Sequence, residues 1–433
     1  MNRQIISPSD SLKLNVSELS IAKIICDYAI ISVDSREKYI NENNIDKLFA
    51  LPDANWLLNE ENDFLRMYRR ISKCNHSDLQ NLRVFTPYFS GFNLYDVEEV
   101  KEANSPSRRV IDSNTAARVV NQLTLRNLPY VEYWRRTVEN IPREYVLRPP
   151  MMFGECGDMI DDAIVNHDTL AYQTRANLIY EFGLTEWIED KIRSTGKIRI
   201  LEIGGGYGAF AYWFKRAFPR SAYTICDLPE SLLFSRLYLT LAMPDVQTAF
   251  GLETSEYGFR FTPNYMLEGL KESFDLVINT LSFSEMSSYQ VNKYADLIKK
   301  FITPSHGLLF EQNQNNKHLG FVDAQDIFSD YFQHRINICN PLVHGNPNVW
   351  SNHEIKLIPK PTFIGLNNEN LRHIGSNDVF NLIQVGNVYF CINKEINLEK
   401  INVTSMPRKS IPPYIYFGYT AESALQLATD NIS

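Results

Sequence analysis

One short stretch, ILEIGGGYGAF at residues 200–210, constrains the fold of this chain more than any other. An apolar run that contains one acid leads into four glycines within five positions, and small and aromatic residues follow. Glycine adopts positive φ at no steric cost and lets another group approach the main chain closely. The stretch therefore predicts a strand, a sharp turn and a helix, with a ligand or another strand lying against the turn.

Short apolar runs alternate with helical patterns on the C-terminal side of this turn. We predict strands at 198–203, 222–226, 246–250, 275–279 and 307–310, and helices at 209–217, 229–242 and 288–301. This alternation is typical of βαβ units, which build an α/β fold with a doubly wound, mostly parallel sheet. Right-handed crossovers place the carboxyl ends of the strands along one edge, where such sheets bind ligands.

The rest of the chain has a different pattern, and its 433 residues suffice for two or three domains. We predict a helical N-terminal region at 1–150, a catalytic domain at 151–340 and a C-terminal extension with some strands at 341–433. The N-terminal region is expected to form a lid over an acceptor site or the surface of a homodimer. The extension is expected to pack on the catalytic domain.

Three local predictions accompany this division. A helix is expected at 167–182, with Asn166 or Asp168 as its N-cap. In the C-terminal part, CNPLVHGNPNVW (339–350) is expected to be a loop. Residues 379–392 are expected to form two strands around an Asn-containing turn.

Charge and composition exclude several kinds of partner. The net charge of −8 and the pI of about 5.6 weigh against nucleic acid, whose phosphates require a basic face. No apolar run approaches the roughly 20 residues of a spanning helix, and the first residues lack the apolar core of a signal peptide. The six cysteines and eight histidines show no metal-ligand spacing, so we expect reduced thiols, no metal site and a cytoplasmic location.

Two ligand classes fit the glycine turn. The pattern G-x-G-x-x-A at 204–209 matches a dinucleotide fingerprint, and E-x-G-x-G-x-G at 202–208 matches class I S-adenosyl-L-methionine-dependent methyltransferases. Asp227 follows about 20 residues later, at a strand end where a carboxylate can bind both ribose hydroxyls. The spacing does not separate the two classes. Two features favour the methyltransferases. One is the acid at 202, where dinucleotide folds usually have an apolar residue, and the other is FDLVIN at 274–279.

Further segments resemble the bacterial sugar O-methyltransferases, which are often associated with surface polysaccharide biosynthesis. They are ICDLPE (225–230), FDLVINTLSFSEM (274–286), LLFEQNQ (308–314) and the upstream VNHDTLAYQTR (165–175). The resemblance covers roughly residues 150–350. It implies a Rossmann-like class I fold, S-adenosyl-L-methionine as the methyl donor and a hydroxyl of a sugar or glycan precursor as the acceptor.

The expected donor site combines the turn with neighbouring strand ends. Bare backbone N–H groups at the turn face the ligand, and the resemblance implies that the acid at 202 positions the donor's methionine end. Arg175 is a candidate partner for the donor's carboxylate, with Tyr172 covering it. Both are equally consistent with helix-face residues packed on the sheet. The full expected set is Glu202, Gly204, Gly205, Gly206, Tyr207, Gly208, Asp227, Leu228, Asn279, Thr280, Tyr172 and Arg175.

Methyl transfer to a sugar hydroxyl requires a general base or a metal, because a neutral hydroxyl is a poor nucleophile. Glu285, shortly after the fourth predicted strand, is the first candidate, and its alternative is a first-turn acid that interacts with a helix dipole. His167 and His344 are the other candidates, each with a purely structural alternative. Glu311 either binds a sugar hydroxyl or faces solvent.

Two other functions stay open on the residues alone. One is an NAD-linked oxidoreductase, which shares the glycine turn and the acid at 227. The other is a catalytically inactive methyltransferase-like scaffold, which binds the donor without turning it over.

Overall fold

A computed structural model describes most of the chain from residue 4 to residue 425. The described residues are 4–52, 63–86, 89, 107–110, 130–317, 320–337, 346–360, 371–376, 380–385, 388–393, 414–418, 422 and 425.

Strands and helices alternate through the middle of the chain. The strands are β1 (Gln4–Ile6), β2 (Ser107–Val110), β3 (Gly157–Ile160), β4 (Ala163–Val165), β5 (Ile198–Ile203), β6 (Ser221–Asp227), β7 (Thr248–Phe250), β8 (Phe259–Pro263), β9 (Leu276–Thr280), β10 (Leu308–Asn313), β11 (His334–Asn337), β12 (Asn346–Ser351), β13 (Leu371–Ser376), β14 (Phe380–Val385), β15 (Val388–Asn393) and β16 (Tyr414–Gly418). The α-helices are α1 (Val16–Asp34), α2 (Arg36–Glu42), α3 (Lys47–Ala50), α4 (Asp63–Ile71), α5 (His76–Gln80), α6 (Tyr130–Val138), α7 (His167–Glu181), α8 (Leu184–Thr195), α9 (Ala209–Ala217), α10 (Pro229–Ala242), α11 (Ser288–Ile302) and α12 (Ala324–Tyr331).

An eight-stranded sheet with the order β11-β12-β10-β9-β5-β6-β8-β7 forms the centre of the fold. The strands from β10 to β7 pair in parallel, and β12 pairs antiparallel with both of its neighbours. This arrangement confirms the predicted doubly wound, mostly parallel α/β fold. The carboxyl ends of β5, β6, β8, β9 and β10 meet at one edge, as the crossovers require.

Both faces of the sheet are covered by helices. Along β5, Ile200 joins an apolar cluster that includes residues of α7 to α10, whereas Leu201 and Ile203 join a second cluster with α11 and α12. Side chains of a strand point alternately to the two faces, so burial on both sides explains the continuous apolar runs. Of the two predicted N-caps of α7, the structure has Asn166, whose side chain accepts a hydrogen bond from Thr169 N at 2.8 Å.

Two strands of the central sheet differ from the prediction. Phe259–Pro263, which was not predicted, occupies the place beside β6, and the predicted third strand is the edge strand β7. The prediction of a loop at 339–350 is wrong for its last part, because Asn346–Ser351 forms β12. Pairing with β10 on one side and β11 on the other satisfies its main chain despite Pro347 near its start. The sheet thus continues past residue 340, and the division into three regions stays a prediction.

Two smaller sheets flank this centre. One has the order β1-β3-β4, and the other is antiparallel with the order β13-β14-β15-β16-β2. The two strands predicted at 379–392 are confirmed as the antiparallel pair β14 and β15. Because β2 pairs with β16, the second small sheet joins the N-terminal and C-terminal parts of the chain. None of the described helices is long and apolar enough to cross a lipid bilayer.

Candidate active site

The glycine turn connects β5 to α9 with a backbone that other residues adopt rarely. Gly204, Gly206 and Gly208 have φ values of +74°, +56° and +91°, and Gly208 is the N-cap of α9. A Cβ atom on Gly205 would lie 2.7 Å from Ile225 Cγ2, so this glycine is required by close packing. Positive φ is strained for L-residues with side chains, so the sequence at this turn follows directly from its shape.

Asp227, the last residue of β6, binds the turn. Its Oδ2 accepts a hydrogen bond from Gly206 N at 3.0 Å, and its Oδ1 accepts one from Leu228 N at 2.7 Å. Burial raises the pKa of this carboxyl to about 6, although the hydrogen bonds from Leu228, Ser231 and Gly206 lower it. A carboxylate has about four acceptor sites, and three are used by these bonds, so the group can still accept a hydrogen bond from a ligand hydroxyl.

A cavity of about 220 Å³ opens at this edge of the sheet. It is lined by six residues of the predicted set, namely Gly204, Gly206, Asp227, Leu228, Thr280 and Glu285. Its other walls include Leu51, Pro52 and Phe89 from the N-terminal region. The structure therefore brings the turn, the acid of β6 and the first candidate base to one cavity.

Asn264 is a cavity residue that the sequence prediction missed. It follows β8 directly, its Nδ2 donates to Ala50 O at 2.8 Å, and its Oδ1 is buried without a hydrogen-bond partner among the described residues. An unsatisfied buried acceptor costs about 1–3 kcal/mol, a cost that a ligand N–H can remove. The missed signal is the alternating run FRFTP, which predicts a strand and would have placed a polar residue at its carboxyl end.

Several predicted residues lie behind the turn instead of on the cavity wall. Glu202 is 1% exposed and accepts a hydrogen bond from Tyr223 OH at 3.0 Å, and burial raises its pKa to about 7. The positive charge of Arg175 lowers that pKa, and its guanidinium carbon lies 4.6 Å from the centre of the Tyr172 ring. The buried Tyr207 side chain donates to Asp168, away from the cavity. Gly208 faces α10, where an added Cβ would lie 2.9 Å from a Leu239 methyl carbon.

The loop after β9 carries the candidate base. Asn279 Nδ2 donates to Ile203 O at 2.8 Å and so joins the ends of β9 and β5, whereas Thr280 and Glu285 line the cavity. Leu281 has a φ of +70°, a strained value for a residue with a side chain, and its N–H donates to Gln312 O at 2.7 Å. Strained backbone held by its surroundings is typical of functional sites.

The remaining candidates fall outside this cavity. His167 is the first residue of α7 and is half-buried, and it is not among the residues that line the cavity. His344 lies outside the described residues. No group of three or more His, Cys, Asp or Glu side chains in the described part of the chain could hold a metal ion.

The alternative in which Glu311 faces solvent is wrong. The side chain is fully buried and accepts hydrogen bonds from Asn313 Nδ2 at 2.9 Å, Asn348 Nδ2 at 2.6 Å and Trp350 Nε1 at 3.1 Å. Burial raises its pKa to about 7. Asn313 also donates to Asn279 Oδ1 at 3.0 Å, so this buried network supports the end of β9.

The strand order, with β12 reversed, is that of a Rossmann-like, doubly wound sheet. No protein-family model and no curated protein sequence matches the chain. Solved structures do match. PigF with SAH is 16% identical, with 43% of this chain and 60% of PigF covered and a TM-score of 0.30. The N-methyltransferase NodS from Bradyrhizobium japonicum WM9, in complex with S-adenosyl-L-homocysteine, is 16% identical, with 40% and 86% covered and a TM-score of 0.28.

A third match, WbdD, is 13% identical, with 67% of this chain and 58% of WbdD covered and a TM-score of 0.33. The chain therefore spans less than two thirds of the length of PigF and of WbdD. At identities of 16% or lower and TM-scores of 0.33 or lower, these matches do not indicate which reaction this chain catalyses.

Proposed function

We propose that this chain is an S-adenosyl-L-methionine-dependent O-methyltransferase that methylates a hydroxyl of a sugar or glycan precursor in the cytoplasm. One observation carries the proposal. The Asp227 carboxylate, the turn at Gly206 and Asn264 Oδ1, which has no hydrogen-bond partner among the described residues, converge on one cavity at the carboxyl edge of the sheet.

The residues of the cavity fit a nucleoside. A ribose hydroxyl matches Asp227, whose carboxylate keeps acceptor capacity beyond its hydrogen bonds from Gly206, Leu228 and Ser231. The exocyclic amino group of adenine is the kind of N–H donor that Asn264 Oδ1 does not find among the described residues. Leu228 and Met286 supply apolar walls for a planar base. These residues would hold the adenosine part of the donor.

Glu202 and Arg175 lie behind the turn and not on the cavity wall, so they would act on the amino-acid part of the donor through the turn that they support. Burial raises the pKa of Glu202, and the positive charge of Arg175 favours its ionised form.

In the transfer, the donor supplies an electrophilic methyl group on a sulfonium. Glu285 accepts the proton of the acceptor hydroxyl while the acceptor oxygen forms its bond to the methyl carbon. The bond between that methyl carbon and sulfur would break with its electron pair on sulfur, so the donor would leave as a neutral thioether. The cavity holds the two reactants in this alignment, which lowers the entropic part of the barrier.

The sugar assignment depends on the resemblance of 165–175 and 274–286 to sugar O-methyltransferases. The lining around Glu285 is compatible with it, because Thr280 and Ser282 present hydroxyl groups suited to a polyhydroxylated acceptor. A cytoplasmic location is supported by Cys26 and Cys226, which are buried thiols and not disulfides, as expected in a reducing compartment.

Two experiments test the proposal. Isothermal titration of the full chain with S-adenosyl-L-homocysteine and, separately, NADH should give binding of the former only. Binding of NADH without binding of S-adenosyl-L-homocysteine would establish the oxidoreductase alternative instead. Mass spectrometry of glycans and nucleotide sugars from cells with and without the protein should then reveal a species heavier by one methylene. Donor binding with an unchanged glycan pool in cells that carry wild-type protein or Glu285→Gln would indicate the inactive scaffold.

A further inference from the structure

A buried ion cluster lies close to the glycine turn, outside the cavity wall. Arg83 is 1% exposed, and its guanidinium contacts Glu155 Oε2 at 2.6 Å and Asp168 Oδ2 at 2.8 Å. Both carboxylates are fully buried. Desolvating three charges is expensive, and removal of one partner leaves the others uncompensated. Such a cluster holds its elements in one arrangement, and here it joins the segment after α5 to the start of α7.

The cluster reaches the glycine turn from behind. Tyr207, which lies inside the turn, donates its hydroxyl hydrogen to Asp168 Oδ2. The centre of its ring lies 4.7 Å from the guanidinium carbon of Arg83, within the range of a cation–π interaction. The ring also packs edge-on against Tyr172 and Tyr238, at 5.5 and 5.1 Å between centres. The side chain of the turn is therefore immobilised by the cluster and its aromatic neighbours.

Arg83 is also linked to the cavity by hydrogen bonds through Thr86 and Phe89 of the N-terminal region. Its Nη1 donates to Thr86 Oγ1, and Thr86 O accepts a hydrogen bond from Phe89 N at 2.9 Å. Phe89 lines the cavity and packs against the turn, where a Cβ on Gly206 would lie 3.3 Å from Phe89 Cβ. Its ring packs edge-on against Phe64 at 5.6 Å and Phe234 at 5.1 Å.

We propose, on the basis of the proposed function, that the N-terminal region completes the donor site with Phe89, and that Arg83 is the residue that positions it. Phe89 forms an apolar wall of the donor site beside the turn at Gly206. Arg83 sets the width of the cleft, because it holds the turn through Tyr207 and the wall through Thr86. A donor analogue therefore loses one wall of its site when either side chain is altered.

The test uses the full chain and measures the affinity for S-adenosyl-L-homocysteine by isothermal titration, together with the melting temperature without ligand. Phe89→Ala should weaken binding about tenfold or more, because it removes a large apolar contact, and Phe89→Leu should recover part of that loss. Arg83→Lys keeps the charge but loses the planar guanidinium that contacts Glu155, Asp168 and Thr86 together, so it should also weaken binding.

A matched control is available on the surface of the same region. Arg70 also forms an ion pair, with Asp78 at 2.6 Å, and also lies over an aromatic ring, that of Phe85 at 5.0 Å, but its side chain is 60% exposed. Arg70→Lys should leave the donor affinity unchanged. Steady-state kinetics should show a raised donor KM for Phe89→Ala with a smaller change in kcat, a split that a loss of folded protein alone does not produce.

The outcomes separate the two levels of the proposal. Wild-type protein that fails to bind S-adenosyl-L-homocysteine overturns the proposed function and this inference with it. Wild-type binding together with equal affinity in folded Phe89→Ala overturns this inference alone. Should Arg83→Lys fail to fold, Phe89→Ala and Phe89→Leu decide the question, because their contacts are apolar and leave no buried charge unpaired.

Discussion

The replacement Asp227→Asn tests the donor site most directly. The carboxylate uses one oxygen for Gly206 N and the other for Leu228 N. An amide has only one oxygen, so its NH₂ group must face one of these backbone donors, and one hydrogen bond to the main chain is lost. The same substitution removes the charge that strengthens hydrogen bonds from ribose hydroxyls.

The size of the effect follows from these bonds. A hydrogen bond to a charged group contributes about 1.5–3 kcal/mol, and the substitution removes or weakens between one and two of them. We therefore expect a loss of about 2–4 kcal/mol in the free energy of donor binding, which corresponds to an increase of about 30- to 1,000-fold in Kd.

The pKa of Asp227 adds a second signature. Burial raises this pKa to about 6, so the carboxyl is protonated below that pH and loses part of its capacity to accept hydrogen bonds. The affinity of the wild-type protein should therefore fall as the pH drops from 7.5 to 5, by at most about tenfold per pH unit below the pKa. Asp227→Asn should show a weaker dependence, because only the titration of the neighbouring Glu202, whose pKa is raised to about 7, remains at the turn.

Isothermal titration with S-adenosyl-L-homocysteine across this pH range measures both effects. Asp296→Asn is the matched control, because it changes the same atoms on α11 in a side chain that is 47% exposed and paired with Lys300. The reasoning is refuted if folded Asp227→Asn binds the ligand with wild-type affinity at pH 7.5. An affinity of the wild-type protein that is flat from pH 5 to 7.5 would contradict the second part.

Three further predictions follow from the same edge of the sheet. Glu285→Gln should lower kcat by about 10²- to 10⁴-fold without changing the Kd for S-adenosyl-L-homocysteine, and an unchanged kcat would exclude it as the base. Gly204→Ala should lower the melting temperature more than Gly196→Ala does, because both have positive φ but only Gly204 places its Cβ 2.3 Å from Ser282 Oγ. The pKa of Glu311 is raised to about 7. The side chain therefore contributes fully to stability when the pH is below the ordinary pKa of a glutamate, and this contribution is lost as the pH rises through 7. The melting temperature of wild-type protein relative to Glu311→Gln should therefore fall between pH 5 and pH 8.

The elements next to the glycine turn were predictable from local sequence. The bounds of β5 and α9 agree with the prediction residue for residue, and those of α10 do as well. Their signals are local: apolar runs, glycines that require positive φ, and a proline at the first helical position. Six predicted residues line the same cavity because a parallel sheet brings successive strand ends to one edge, namely Gly204, Gly206, Asp227, Leu228, Thr280 and Glu285.

The parts that the prediction missed depend on contacts between distant segments. β12 is a strand because β10 and β11 pair with it, and a loop-like run with two prolines conceals this. Asn264 enters the cavity only because β8, and not the predicted 246–250, lies beside β6. The partners of Arg83, at positions 155 and 168, are 72 and 85 residues away along the chain.

The sequence by itself determined the alternating elements and the shape of the turn, because backbone conformation and apolar periodicity act over a few residues. Only the tertiary structure decided which side chains are buried, and therefore which carboxyls have raised pKa values. Glu202 and Glu311 both have pKa values of about 7 because folding removes them from water. The tertiary structure also brought Phe89 to the turn, since it has no local signal that relates it to a glycine more than 50 residues away.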